Sequence, residues 1–320
     1  MFGFLGGTTL AITSGSYYVA YRKIANESTR KDSGSSRHSK TEDALHFSKT
    51  REVNASDRDN VDFVDRVVER AVLWSLALYS KTIMQVLNST EYDGKHSEEL
   101  ARLIDSDRLG RGLITVSNHV TAIDDPGAVA ALMPISSLAT ASNYRWTACA
   151  TDRCFKSLSL IPFFRGGKVL PVERGGGLVQ YGMNLMIAKL DRGDWIHMFP
   201  TGRRSGEGSL APFKIGVGRL VADPKRTPLV VPFYHCGMSQ VLGRGEKVPL
   251  TFGKKMRIEV GEAIDFEPTI RRLREAGTSD REIYRVVTSE IERQMLDLER
   301  IALAKYDGES SKETSRRDAE

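Results

Sequence analysis

His119 and Asp124, five residues apart, are the pair in this sequence best placed to do chemistry. On a continuous helix their side chains would diverge by roughly 140°. Folded back by a turn, the carboxylate can accept from one ring nitrogen while the other stays free to take a proton. That is the base and orienter of a catalytic triad without its nucleophilic serine. By spacing alone, the same two residues also fit a loop histidine beside a helix-capping aspartate.

Two arginine loops form a second constellation. Arg174 precedes Gly175–Gly177, and Arg203-Arg204 follow Gly202. Guanidinium groups hold phosphate through planar two-point contacts, and glycine lets backbone N–H groups approach an anion closely. Between Phe199 and Arg226 the basic residues Arg203, Arg204, Lys214, Arg219, Lys225 and Arg226 outnumber Glu207 and Asp223. Loops of this kind at two strand ends, together with a His/Asp turn, point to a phosphate site. No G-x-x-x-x-G-K-[ST], G-x-G-x-x-G or G-x-S-x-G sequence occurs, so nucleotide-binding and serine-hydrolase readings lack support. His197 and His235 fall inside strands and read as structural, and no cluster has zinc-ligand spacing.

The elements that position these residues alternate between strand and helix. Leu113–Val116 is an apolar, β-branched strand broken by Ser117 and Asn118, and Asp124-Asp125-Pro126 reads as a helix start with a carboxylate at the cap. Strands are expected at Arg145–Ala150, Val169–Val172, Trp195–Phe199, Leu229–Tyr234 and Met256–Val260. Helices are expected at Val61–Leu87, His96–Arg108, Leu178–Arg192, Phe213–Ala222 and from Ser279 onward. Phe155–Phe164, an apolar stretch too short to span a bilayer, suits either the core or an acyl-binding groove. The last helix opens on a capping box, Ser279-Asp-Arg-Glu282, with Ile283, Val287, Ile291, Gln294 or Met295, Leu298 and Ile301 as its apolar stripe. The expected fold is α/β, a mixed sheet with helices packed over it.

Composition sets further bounds. A chain of 320 residues with formal net charge +5 can build one large core or two small ones and favours anionic surfaces. Aromatic residues are not interleaved with basic runs, so nothing resembles a stacking platform for nucleic-acid bases. Cys149, Cys154 and Cys236 cannot make a disulfide framework and read as small buried hydrophobes. Met1–Tyr21 carries no acidic or basic side chain other than its tyrosines, and Arg22 and Lys23 follow at once. Residues 1–23 therefore read as a retained membrane anchor or a targeting segment, a membrane-associating start to the chain. Residues 24–60 are polar and charged, a disordered linker, and residues 305–320 a disordered tail; a single domain is expected between, over 61–304. Its first helix has an apolar face carrying Trp74 and Tyr79, which suits the core or the membrane interface.

The order of short blocks then carries a resemblance. Asn118-His-Val-Thr-Ala-Ile-Asp-Asp-Pro126, Leu170-Pro-Val-Glu-Arg174-Gly, Phe199-Pro-Thr-Gly-Arg-Arg-Ser205 and Val231-Pro-Phe-Tyr-His-Cys-Gly-Met238 resemble the four successive blocks of the glycerolipid acyltransferase superfamily, in the form found in tafazzins. The resemblance covers about Leu113 to Phe266. It implies a membrane-bound phospholipid transacylase of mitochondrial membranes, facing the intermembrane space. Such an enzyme moves an acyl chain from phosphatidylcholine or phosphatidylethanolamine to monolysocardiolipin, remodelling cardiolipin without acyl-CoA, cofactor or metal. It assigns His119 as general base, Asp124 as its orienter, and Arg174, Gly202, Arg203 and Arg204 as ligands of lipid phosphate. The third block departs from the family: Thr201 stands where glutamate is expected, with Glu207 the acid in reach that could take over substrate positioning. The same blocks leave two alternatives open, an acyl-CoA-dependent lysophospholipid or 1-acylglycerol-3-phosphate acyltransferase and a lipid-binding scaffold without catalysis.

Overall fold

A computed structural model describes residues 63–317 apart from 107, 136, 138, 139, 141, 142 and 244–250. The expected anchor (1–23) and linker (24–60) lie outside the described residues. Strands β1 (Ser89–Tyr92), β2 (Leu113–Ser117), β3 (Trp146–Ala150), β4 (Val169–Val172), β5 (Trp195–Met198), β6 (Leu229–Cys236) and β7 (Lys255–Val260) pair in the order β1-β7-β6-β2-β5-β3-β4, with β8 (Ile264–Asp265) on β6. β6, β2, β5, β3 and β4 run parallel, whereas β7 and β8 meet β6 antiparallel. The fold is thus a mixed α/β sheet, rich in parallel strands.

Helices cover both faces, which is why β2 is buried at every residue. Alternate residues go to opposite sides. Leu113, Trp195, Val231 and Phe233 face α1 (Phe63–Lys81), α2 (Gly94–Asp105) and α3 (Asp124–Leu132). Ile114, Ile196, Val230 and Tyr234 face α6 (Tyr181–Leu190), α7 (Gly216–Ala222), α9 (Glu267–Glu275) and α10 (Asp280–Arg317). The α4 (Thr151–Cys154) and α5 (Ile161–Gly166) helices fill the expected apolar stretch after β3, and α8 (Met238–Val241) follows β6. α10 lies directly on α7: a Cβ on Gly218 would stand 2.1 Å from the Tyr284 carbonyl oxygen, so only glycine permits this approach.

Three expectations are corrected. α10 continues to Arg317 rather than giving way to a tail near Lys305, because extending a formed helix through lysine, glutamate and arginine costs less than nucleating one. Its buried stripe ends on Ala302, while Ile301 is turned outward, the position that a period of 3.6 selects after Leu298. Cys149 and Cys154 are joined in a disulfide, Cα to Cα 6.1 Å, because α4 begins directly at the end of β3 and turns the second thiol back on the first. Of the three cysteines only Cys236 is a free, buried apolar side chain.

Candidate active site

β2 ends in the middle of the sheet with β5 on one side and β6 on the other, and the residues that follow it sit at the carboxyl ends of parallel strands. In open α/β sheets that edge is where ligands bind. Asn118 extends the ladder with its side chain: Nδ2 donates to the His235 carbonyl at 2.8 Å, and Oδ1 accepts from the His235 N–H at 3.0 Å. His119 comes next, in a tight turn closed by Asp124.

The Asp124 carboxylate organises that turn. Oδ2 accepts from His119 Nδ1 at 2.9 Å, from the Val120 N–H at 2.5 Å and from the Thr121 N–H at 2.9 Å, and Oδ1 accepts from Thr121 Oγ1 at 2.6 Å. The side chain is fully buried, and burial would raise its pKa. The charges of His235 and His119 and the hydrogen bonds from His119 and Thr121 outweigh that, so the carboxyl is held below its ordinary value and stays ionised. The expected helix cap is therefore corrected: Asp124 binds the turn before it, and α3 begins without a side-chain cap. The pull of several donors on one carboxylate is stronger than a single capping bond. Asp125 is spoken for as well, paired to buried Arg145, whose Nε donates to Oδ1 at 2.7 Å.

With Nδ1 committed to Asp124, Nε2 is the His119 nitrogen left to exchange a proton, and 20% of the side chain is exposed. Phe199, at the end of β5, stacks on the ring at 4.0 Å between centroids and fixes its plane. The two histidines read as structural lie in strands and support the turn from below. His235 Nε2 donates to the Asn118 carbonyl at 3.1 Å and lies 3.8 Å from Asp124 Oδ2. Ser117 Oγ donates to the same carbonyl, so it accepts from His197 Nε2 at 3.3 Å, and His197 Nδ1 accepts from Thr115 Oγ1 at 2.9 Å. Burial keeps His197 neutral, its pKa pushed down to about 4 although Asp125 pulls it up.

The third block lies against this turn. Ser205 N–H donates to the His119 carbonyl at 2.8 Å. Thr201 is buried, and its Oγ1 donates to the Arg203 carbonyl at 2.8 Å, closing the bend. Gly202 has φ +63°, a left-handed value that favours glycine. Arg203 and Arg204 point to solvent. Glu207 turns away from Thr201 and accepts from the Ser239 N–H at 3.1 Å and the Ser239 hydroxyl at 3.0 Å. Arg174 sits on the same edge after the outermost strand β4, exposed, with Asp152 at 3.6 Å. Its turn is held by Gln180, which accepts from the Glu173 N–H at 2.7 Å.

The structure thus joins His119, Asp124 and the Gly202–Arg204 bend in one cluster and leaves Arg174 at the far end of the edge. Sequence reasoning did not single out Asn118, Thr121 or Phe199 as supports. Asn118 and Thr121 lie inside the first block, and Phe199 ends a strand, but only pairing across the sheet brings the ring under His119.

Comparison with known proteins agrees with these blocks. The family described as Acyltransferase matches residues 94–235. The chain is 32% identical to Tafazzin of Drosophila melanogaster over 72% of its own length, and spans 61% of the fly protein. It is also 32% identical to N-acylphosphatidylethanolamine synthase of Arabidopsis thaliana, over 64% of its own length and 74% of the plant protein. The crystal structure of PlsC, the 1-acyl-sn-glycerophosphate acyltransferase of Thermotoga maritima, superposes with a TM-score of 0.44 at 16% identity, covering 87% of this chain and 92% of that one. The chain belongs to the acyltransferase family that includes the tafazzins.

Proposed function

We propose that the protein is a phospholipid transacylase that moves a fatty acyl chain from a phospholipid to monolysocardiolipin at mitochondrial membranes, on the side facing the intermembrane space. The observation that carries the reading is the 2.9 Å bond from His119 Nδ1 to buried Asp124, beside a cationic bend on the ligand-binding edge of the sheet.

In this mechanism His119 Nε2 takes the proton of the lysolipid hydroxyl as its oxygen attacks the donor's ester carbonyl. Asp124 stabilises the imidazolium that results. The tetrahedral intermediate then collapses, the bond from the carbonyl carbon to the donor's glycerol oxygen breaks, and that oxygen recovers the proton from Nε2. No charge is left over, and the product lysolipid leaves neutral at that oxygen. Arg203, Arg204, the backbone at Gly202 and Arg174 hold lipid phosphate. Thr201 contributes through the bend it closes, and Glu207 by tying the loop to Ser239.

Access from a bilayer is supported by α1. Its Leu73 and Ala77 are buried, whereas Trp74 is 50% and Leu78 68% exposed. α5, packed beside it, exposes Phe163. Apolar and aromatic side chains displayed in this way suit the bilayer interface.

The decisive experiment mixes purified protein with radiolabelled phosphatidylcholine and monolysocardiolipin in vesicles, without CoA. Label moves to cardiolipin with the wild type and not with His119→Ala. An absolute need for acyl-CoA would instead assign an acyl-CoA-dependent lysophospholipid acyltransferase. Vesicle binding without turnover by the wild type would assign a scaffold.

A further inference from the structure

Arg203, Arg204 and Lys214 carry three positive charges around one bend, and none of the described acids pairs with any of them. The family's glutamate is replaced here by Thr201, whose hydroxyl is spent on the Arg203 carbonyl. Glu207, the nearest acid in sequence, is held by Ser239.

Lys214 is not a remote surface lysine. Its N–H donates to the Pro200 carbonyl at 2.9 Å, fixing its backbone to the bend. Its side chain crosses the open face of Gly202: a Cβ at that position would lie 3.2 Å from Cδ, 3.0 Å from Cε and 2.7 Å from Nζ. The missing side chain at Gly202 is therefore what lets the ammonium lie over the bend. The other end of the loop reaches the catalytic turn, where Ser205 N–H binds the His119 carbonyl. Unneutralised cations gathered on rigid backbone gain most from an anion that can meet more than one of them.

We propose that Lys214 is a phosphate-binding position separate from the Arg203–Arg204 pair, and that together they make the bend selective for a lipid headgroup with two phosphates. A guanidinium pair offers planar contacts to one phosphate, and the compact ammonium of Lys214 is a point charge for the other. The inference rests on reading the bend as the phosphate-binding part of an acyl-transfer site.

Its test uses the full chain in two assays. The first is flotation with phosphatidylcholine vesicles containing a lysolipid with one phosphate or with two, matched for total lipid charge. The second is CoA-free transfer to the same two acceptors, read as KM. Wild type favours the two-phosphate lysolipid by about tenfold, the scale of one charge-assisted contact. Lys214→Gln removes most of that ratio and Lys214→Arg restores it. Lys225→Gln, an exposed lysine whose N–H is bound to Asp191, leaves the ratio as in wild type. A ratio that survives Lys214→Gln, or one that Lys225→Gln lowers equally, overturns the proposal. If wild type shows the binding preference but transfers no label, the catalytic reading fails and this one stands. If it transfers label with no preference, this one fails alone.

Discussion

At the scale of single residues the candidate site depends on what Asp124 does to His119. The carboxylate is buried and takes three donors besides the imidazole, so its geometry is set by the turn and not by the histidine. Asp124→Asn keeps the shape but replaces an acceptor oxygen with an amide and removes the charge opposite the imidazolium. We expect CoA-free transfer to fall by about 10²–10⁴ in kcat with little change in KM, the scale of a disabled base–orienter pair. A KM rise with kcat preserved would mean that Asp124 acts in binding instead. The five-residue spacing made the His119–Asp124 pair legible in the sequence. The carboxylate's other partners were not: Val120 and Thr121 contribute backbone N–H groups, which every residue but proline carries, and the Thr121 hydroxyl meets Asp124 only once the turn has formed. His235 was legible as a strand residue only; its position 3.8 Å from Asp124 depends on β6 lying next to β2, a pairing more than a hundred residues distant in sequence.

At the scale of elements, α1 is divided between two environments. Leu73 and Ala77 lie against the core with Met84 of the π-helical segment that follows, whereas Trp74 and Leu78 face away from it. The sequence showed an apolar helix and left its partner open, since leucine serves a core and a bilayer equally well. Burial separates the two uses residue by residue. Leu78→Glu places a charge on the exposed side without touching a core contact, so stability should stay within about 0.5 kcal/mol of wild type. Flotation with phosphatidylcholine vesicles should fall several-fold, because a desolvated carboxylate opposes insertion. Unchanged flotation would remove α1 from the membrane-facing surface. Short edge elements were the least legible. β1 is polar and half exposed, so it has no alternation to read and is a strand only because β7 offers it a partner.

At the scale of the whole molecule, the sheet's centre carries an ionisable group kept in its uncharged form, and stability should record it. His197 is fully buried on β5 between β2 and β3, with Asp125, Arg145, His235 and His119 as its charged or titratable neighbours, and its pKa is pushed from 6.5 down to about 4. The unfolded chain binds this proton at higher pH than the folded one does. The stabilisation is therefore fully present above pH 6.5 and is lost as pH falls through 6.5 toward 4. The difference amounts to about 3 kcal/mol, or roughly 6–12 °C in Tm for a domain of this size. Other shifted groups fall outside that window. Lys189 and Lys168 are lowered to about 7 and about 8, so both are protonated, folded or unfolded, once pH is well below 7. Asp124 and Asp125 are held below their ordinary carboxyl values and lose their contribution only at lower pH still. Differential scanning calorimetry from pH 7 to 4 should show the decline in wild type. His197→Gln, with a lower Tm throughout, should show a flatter profile because nothing at that position then titrates. A Tm independent of pH across this range in wild type would mean that the imidazole is not sealed in the sheet. Ser117 Oγ, which donates to the carbonyl before His119, would then lose the imidazole donor that orients it.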